Sequence, residues 1–176
     1  MNNLALHFLT ESPWQVEDLR EQRLKLILQV LRGREINLII DETGDRKKGN
    51  KTAYVKRQYI GNLGKVAVTA YGYLEGMTFA LSFEVYKPKE RLEQGDIYRT
   101  KPEIAGILIQ KLQEMGFKFK LVLANSLYGE SDCNFISVLN KFKLKFVVAI
   151  RSNHVAWLPQ GQRVRQNQWR KFDRTG

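Results

Sequence analysis

The chain reads as an α/β protein whose mixed sheet is covered by helices. Three observations predict this: short apolar runs that stop at polar residues, glycine-punctuated extended segments after the first run, and a strand–helix–strand order thereafter. Strand–helix–strand units imply parallel pairing through right-handed crossovers. Extended segments joined by tight turns imply antiparallel pairing. The 176 residues fit one domain and, at 43% hydrophobic, can bury a core.

The first element predicted is a helix from Val16 to Leu31, with Leu19, Leu24, Ile27, Val30 and Leu31 at loosely helical spacing and Gly33 as the stop. Ile36 to Ile40 is a continuous apolar-biased run, read as a strand buried on both faces. DETGDRKKGNK follows as a basic, glycine-bearing loop. Tyr54–Ile60, Val66–Leu74 and Met77–Tyr86 are extended segments, and Glu75-Gly76 is a hairpin turn between the last two. KPKERLEQGD is a polar connection.

Thr100-Lys-Pro-Glu103 matches a capping box and opens a helix with Ile104, Ile107, Leu108, Leu112 and Met115 on one face, ending at Gly116. Leu121–Ala124 is a second short buried strand. Asp132 is placed to cap another helix carrying Phe135, Ile136, Leu139 and Phe142. Phe146–Ile150 is read as a final buried strand, and a polar, basic tail starts at Ser152.

Composition narrows the function. Lys+Arg number 29 against 18 Asp+Glu, a net charge of +11, which points to a polyanionic partner, nucleic acid first. The cations cluster. Arg46, Lys47, Lys48, Lys51, Lys56 and Arg57 lie in a stretch from Arg46 to Lys65 that holds no acid. Arg151, Arg163, Arg165 and Arg170 belong to a second cluster towards the end of the chain. Clusters of this kind are read as phosphate contacts. Cys133 is the single cysteine, so no intramolecular disulfide forms, and it is read as a core residue. No signal-like leader or membrane-length apolar run is present in the sequence, which predicts a cytoplasmic protein.

Sites in sheets of this type gather at the carboxyl ends of strands. Asp41 stops one apolar run and Asn125 stops another, which predicts that they meet at neighbouring strand tips. A carboxylate there suits a hard divalent ion, with Glu42 or Asp45 assisting or facing solvent.

The segments INLIIDETGDRKKG, YVKRQYIGNLG, VTAYG, MTF…FEVYKP, KPEIA…KLQEMGF, LVLANSLYGES and VVAIRSNH, in this order, resemble the catalytic region of insertion-sequence transposases of the DDE superfamily endonuclease type. The resemblance runs from about Leu6 to Arg170. It implies an RNase H-like fold, with antiparallel strands 1–3 and parallel strands beyond, and a Mg²⁺- or Mn²⁺-dependent endonuclease and DNA strand transferase acting on element ends through an Asp-Asp-Glu triad. Asp41 matches the first Asp and Asn125 the position of the second. The Glu belongs to a region beyond Gly176, so the resemblance implies a truncated copy whose sheet is incomplete at the C-terminus. Its parts are then a lead-in with a helix at 1–33, a partial catalytic core at 34–151 and a basic linker or tail at 152–176.

With an amide at position 125 and no Glu, the expectation is a catalytically dead chain with impaired metal binding. A non-catalytic DNA-binding remnant, or a dominant-negative partner in a homo- or hetero-oligomer with intact transposase, is the alternative.

Overall fold

The computed structural model describes residues 15–46, 53–57 and 63–151, and only the backbone of Arg57 and Leu63. Among these residues the chain runs α1 (Val16–Leu31), β1 (Ile36–Arg46), β2 (Lys56–Arg57), β3 (Leu63–Leu74), β4 (Met77–Val85), α2 (Lys101–Glu114), β5 (Phe119–Ala124), α3 (Ser126–Gly129), α4 (Ser137–Lys141) and β6 (Phe146–Val148). A wide helical turn at Asp132–Ile136 joins α3 to α4.

The sheet is mixed, as the sequence predicts. β1 lies between antiparallel β3 and parallel β5, and β6 extends the parallel side. β4 pairs antiparallel with the outer edge of β3, and the short β2 continues that edge beside Leu63 and Gly64. Glu75 and Gly76 both have positive φ, the geometry a two-residue hairpin turn needs, so the predicted turn is present.

One face of the sheet carries the core. Ile36, Leu38 and Ile40 point to it and are almost fully buried, joined by Val122 from β5 and by Ile104, Leu108, Ile109 and Leu112 from α2. On α1 the expected single face divides. Leu24 and Leu31 enter the core, whereas Leu19 and Val30 stay exposed, because the helix meets the core at the β4 side and Arg23 reaches the carbonyls of Ala80 and Leu81. On α2, Ile107 faces solvent at 47% exposure and Ile109, absent from the predicted face, is buried.

The capping box forms in full. Thr100 accepts from the Glu103 N–H, and Glu103 accepts from the Thr100 backbone at 2.6 Å. Gly116 then ends the helix with φ +98°, which suits a residue lacking Cβ. The backbone N–H and then the hydroxyl of Thr100 hold the Glu103 carboxyl below its usual range. A depressed carboxyl contributes stability that is present above its unfolded value and is lost as pH falls through the folded one. Thr100→Ala is therefore expected to cost about 1 kcal/mol near pH 7 and to show a smaller loss on acidification than the parent. Urea titrations at neutral and acidic pH measure both.

Three expectations need correction. β1 does not stop at Ile40. It runs to Arg46, because β3 offers a ladder partner for every residue of DETGDR, from Asp41↔Thr69 to Arg46↔Gly64. Cross-strand pairing overrides the low strand propensity of that polar stretch. Asp132 caps no helix; the cap position before the wide turn is Ser131, with no side-chain bond, although Phe135 and Leu139 are buried as predicted. Cys133 is exposed rather than packed in the core.

Candidate phosphoryl-transfer site

β1 and β5 run parallel only as far as Ile40↔Ala124. The next residues are Asp41 and Asn125. β1 continues as an antiparallel arm with β3, whereas β5 ends and the chain turns into α3. Asp41 therefore lies within a strand, at the point where one neighbour departs, and the departure exposes it.

The structure brings the two side chains together. Asn125 Nδ2 donates to Asp41 Oδ1 at 3.2 Å. The other end of the amide is also engaged, since the Leu127 backbone N–H donates to Asn125 Oδ1 at 3.0 Å, making Asn125 the cap of α3. An oxygen must accept from that N–H, so the amide nitrogen faces the carboxylate. The amide oxygen is the one atom of this side chain that could offer a lone pair to a cation. The cap takes one of that oxygen's two lone pairs and fixes its direction.

Successive strand side chains alternate between faces. Asp41 shares its face with Ile39, Thr43 and its cross-strand partner Thr69. Thr43 bonds both Thr69 (3.2 Å) and the Tyr71 hydroxyl (2.9 Å), giving that side of the carboxylate a fixed polar wall. A shallow trough of about 480 Å³ opens at the pair, lined by Ile39, Leu123, Val147 and Val148. Val147 is 61% exposed, so β6 is not the buried strand the sequence predicts and the sheet face carrying the pair lies open here.

The two carboxylates considered as helpers stand elsewhere. Glu42 points to the helix-covered face and forms an ion pair with Lys101 at the start of α2. Asp45 lies four residues along β1 from Asp41, roughly 13 Å at strand rise. No group of three His, Cys, Asp or Glu side chains that would hold a metal occurs among the described residues. A two-cation phosphoryl-transfer site needs several anionic oxygens converging on the ions. Here one carboxylate meets an N–H donor, so the donor set does not fit that group.

The proposed phosphate-contacting cations are only partly described. Arg46 is exposed at the end of β1. Lys56 Nζ lies 2.9 Å from Glu90 Oε2, and Arg151 holds Glu130 with its backbone N–H and guanidinium, so both cations carry a compensating carboxylate. The Arg57 side chain and Lys47, Lys48, Lys51, Arg163, Arg165 and Arg170 lie outside the described residues. No helix among the described residues is long and apolar enough to cross a membrane.

Two comparisons bear on this geometry. Residues 4–173 match the family described as DDE superfamily endonuclease. Over 173 residues the chain is 67% identical to a probable transposase for insertion sequence element IS701 from Microchaete diplosiphon. That alignment takes in 96% of this chain and 46% of the relative, so the chain spans about half the length of the curated protein it matches.

Proposed function

Because the chain belongs to the DDE superfamily endonucleases, we propose that it carries the sheet core of an insertion-sequence transposase, in a form that engages DNA without cutting it. The relative's description as a probable transposase supports the substrate, DNA at the ends of a mobile element. The net charge of +11 supports a phosphate-rich partner. In this reading the core occupies 34–151, with 1–33 leading in and 152–176 forming a basic extension. The family's chemistry is in-line displacement at phosphorus, by water and then by a 3′-hydroxyl, assisted by divalent ions.

The observation that carries the non-cutting form is the Asn125 hydrogen bond to Asp41. A second carboxylate at that place would repel the first and call for a cation between them. The amide does the reverse, placing a partial positive charge against Asp41 and satisfying it locally. What this chain's own residues then supply is a carboxylate within β1 held in one orientation, an open trough beside it, and basic surface for the backbone of a nucleic acid.

Incubation of end-containing duplex DNA with Mg²⁺ or Mn²⁺ tests the reading. No nicks are expected. Cleavage by the unmodified chain that Asp41→Ala abolishes would refute the non-cutting form. Binding itself is expected to weaken at least tenfold between about 50 and 200 mM salt, because phosphate contacts release counterions. Fluorescence anisotropy on labelled duplex measures this, and salt-independent or absent binding would remove the nucleic-acid reading.

A further inference from the structure

Helix α1 carries two apolar stripes, and the core uses one of them. Leu24 and Leu31 are buried there, with Ile27 and Leu28 packed against it. Val16, Leu19, Leu26 and Val30 stay exposed, Leu26 at 62% and Val30 at 71%. Together with Arg23 they recur at steps of three, four, three and four residues. That is the seam spacing of two heptads, the pattern by which one helix packs on another. A helix face meant for water carries polar residues at such places.

The second half of the seam opens into a groove of about 610 Å³, whose other wall is the β3–β4 hairpin with Leu74, Met77 and Phe79. Arg23 keeps its charge out of the seam. Its guanidinium donates to the Ala80 carbonyl at 2.7 Å and to that of Leu81, so the stem is what lines the groove. Helix and hairpin thus present one continuous apolar strip, of the kind that marks an interaction site.

Charge along α1 selects the occupant. Its first turn holds Glu17 and Asp18, whereas Arg32 caps its end and Arg34 follows. Two copies of α1 running antiparallel set the acidic start of each beside the basic end of the other, and their helix dipoles also oppose. Centred near Arg23, this pairing brings Val16 of one copy to Val30 of the other and Leu19 to Leu26. The start of each helix then fills the groove beside the other. A parallel pair would set Asp18 against Asp18 and Arg32 against Arg32.

We propose that this face is a self-association surface, on which a second copy of the chain docks antiparallel along α1 about a two-fold axis. None of the residues around Asp41 and Asn125 takes part, and neither DNA nor divalent ions are needed, so the two readings fail independently.

Analytical ultracentrifugation of the full chain across a wide concentration range tests it. A monomer–dimer equilibrium is expected, with a melting temperature that rises with concentration. Leu26→Glu and Val30→Glu each put one carboxylate per copy into the seam and should weaken the dimer about a hundredfold or more. Both positions are exposed in the single chain, so these variants should melt with the dilute parent. Orientation is read from charge reversal. Asp18→Arg and Arg32→Asp are each expected to weaken the dimer about threefold to tenfold, and the double variant to regain it. A chain that is monomeric throughout, a Leu26→Glu chain that associates like the parent, or a double reversal without rescue would overturn the proposal. A monomer whose melting temperature falls on Leu26→Glu would overturn it too, assigning the strip to residues 1–14 of the same chain.

Discussion

Replacing Asn125 by aspartate is expected to lower the melting temperature in metal-free buffer by about 2–8 °C and to make stability depend on divalent ions. The substitution is well controlled by the structure itself. Aspartate caps a helix as well as asparagine does, so acceptance from the Leu127 N–H survives and the contact with Asp41 is what changes. A donor at 3.2 Å becomes a second negative charge at about the same place. Both groups are exposed, so screening reduces the repulsion to about 1–2 kcal/mol rather than the larger value of a buried pair. Mn²⁺ bound between the two carboxylates would reverse the loss, because a ligand that binds only the folded chain stabilises it. Differential scanning fluorimetry with EDTA and with Mn²⁺ measures both halves. An Asn125→Asp chain that melts like the parent and ignores Mn²⁺ would show that the two side chains do not face each other.

Gly129→Ala is the substitution expected to damage the fold most. A Cβ at this position would lie 2.2 Å from the Ala149 carbonyl oxygen and 3.0 Å from Val148 Cβ. Ala149 has little room to retreat, since its N–H is held by the Ala124 carbonyl at 3.1 Å, extending the β5–β6 ladder. Either α3 lifts away from β6, carrying Tyr128 with it, or that ladder opens. Overpacking against backbone typically costs about 1–3 kcal/mol, occasionally more, or roughly 2–12 °C in a chain of this size. Gly44→Ala supplies the contrast. Nothing lies within 4 Å of its Cβ, and its melting temperature should match the parent's. Equal behaviour of the two variants would mean that α3 does not sit against β6.

How much of this was legible beforehand depended on whether a signal was local. The capping box at Thr100–Glu103, the hairpin at Glu75-Gly76 and the strands around Leu38 and Val122 are written in short stretches, and the structure contains them, although each strand is buried on one face rather than on both. The length of β1 was not legible, because DETGDR is held extended by β3, whose partner residues lie well along the chain, from Asp41↔Thr69 to Arg46↔Gly64. The two-sided surface of α1 has the same origin, as helical period alone does not say which neighbour a helix will meet. The roles of Asn125 and Glu42 needed coordinates as well. A polar residue at a strand tip is visible in the sequence, but its hydrogen-bond partners are set by the turn that follows it and by α2 arriving with Lys101.

In the function proposed above, the Asn125 amide occupies the place where a cation would otherwise balance Asp41. Titrating the unmodified chain with Mn²⁺ while following its melting temperature tests this most directly. No shift is expected across the range in which Asn125→Asp responds. A rise of several degrees in the unmodified chain, lost on Asp41→Ala, would contradict it.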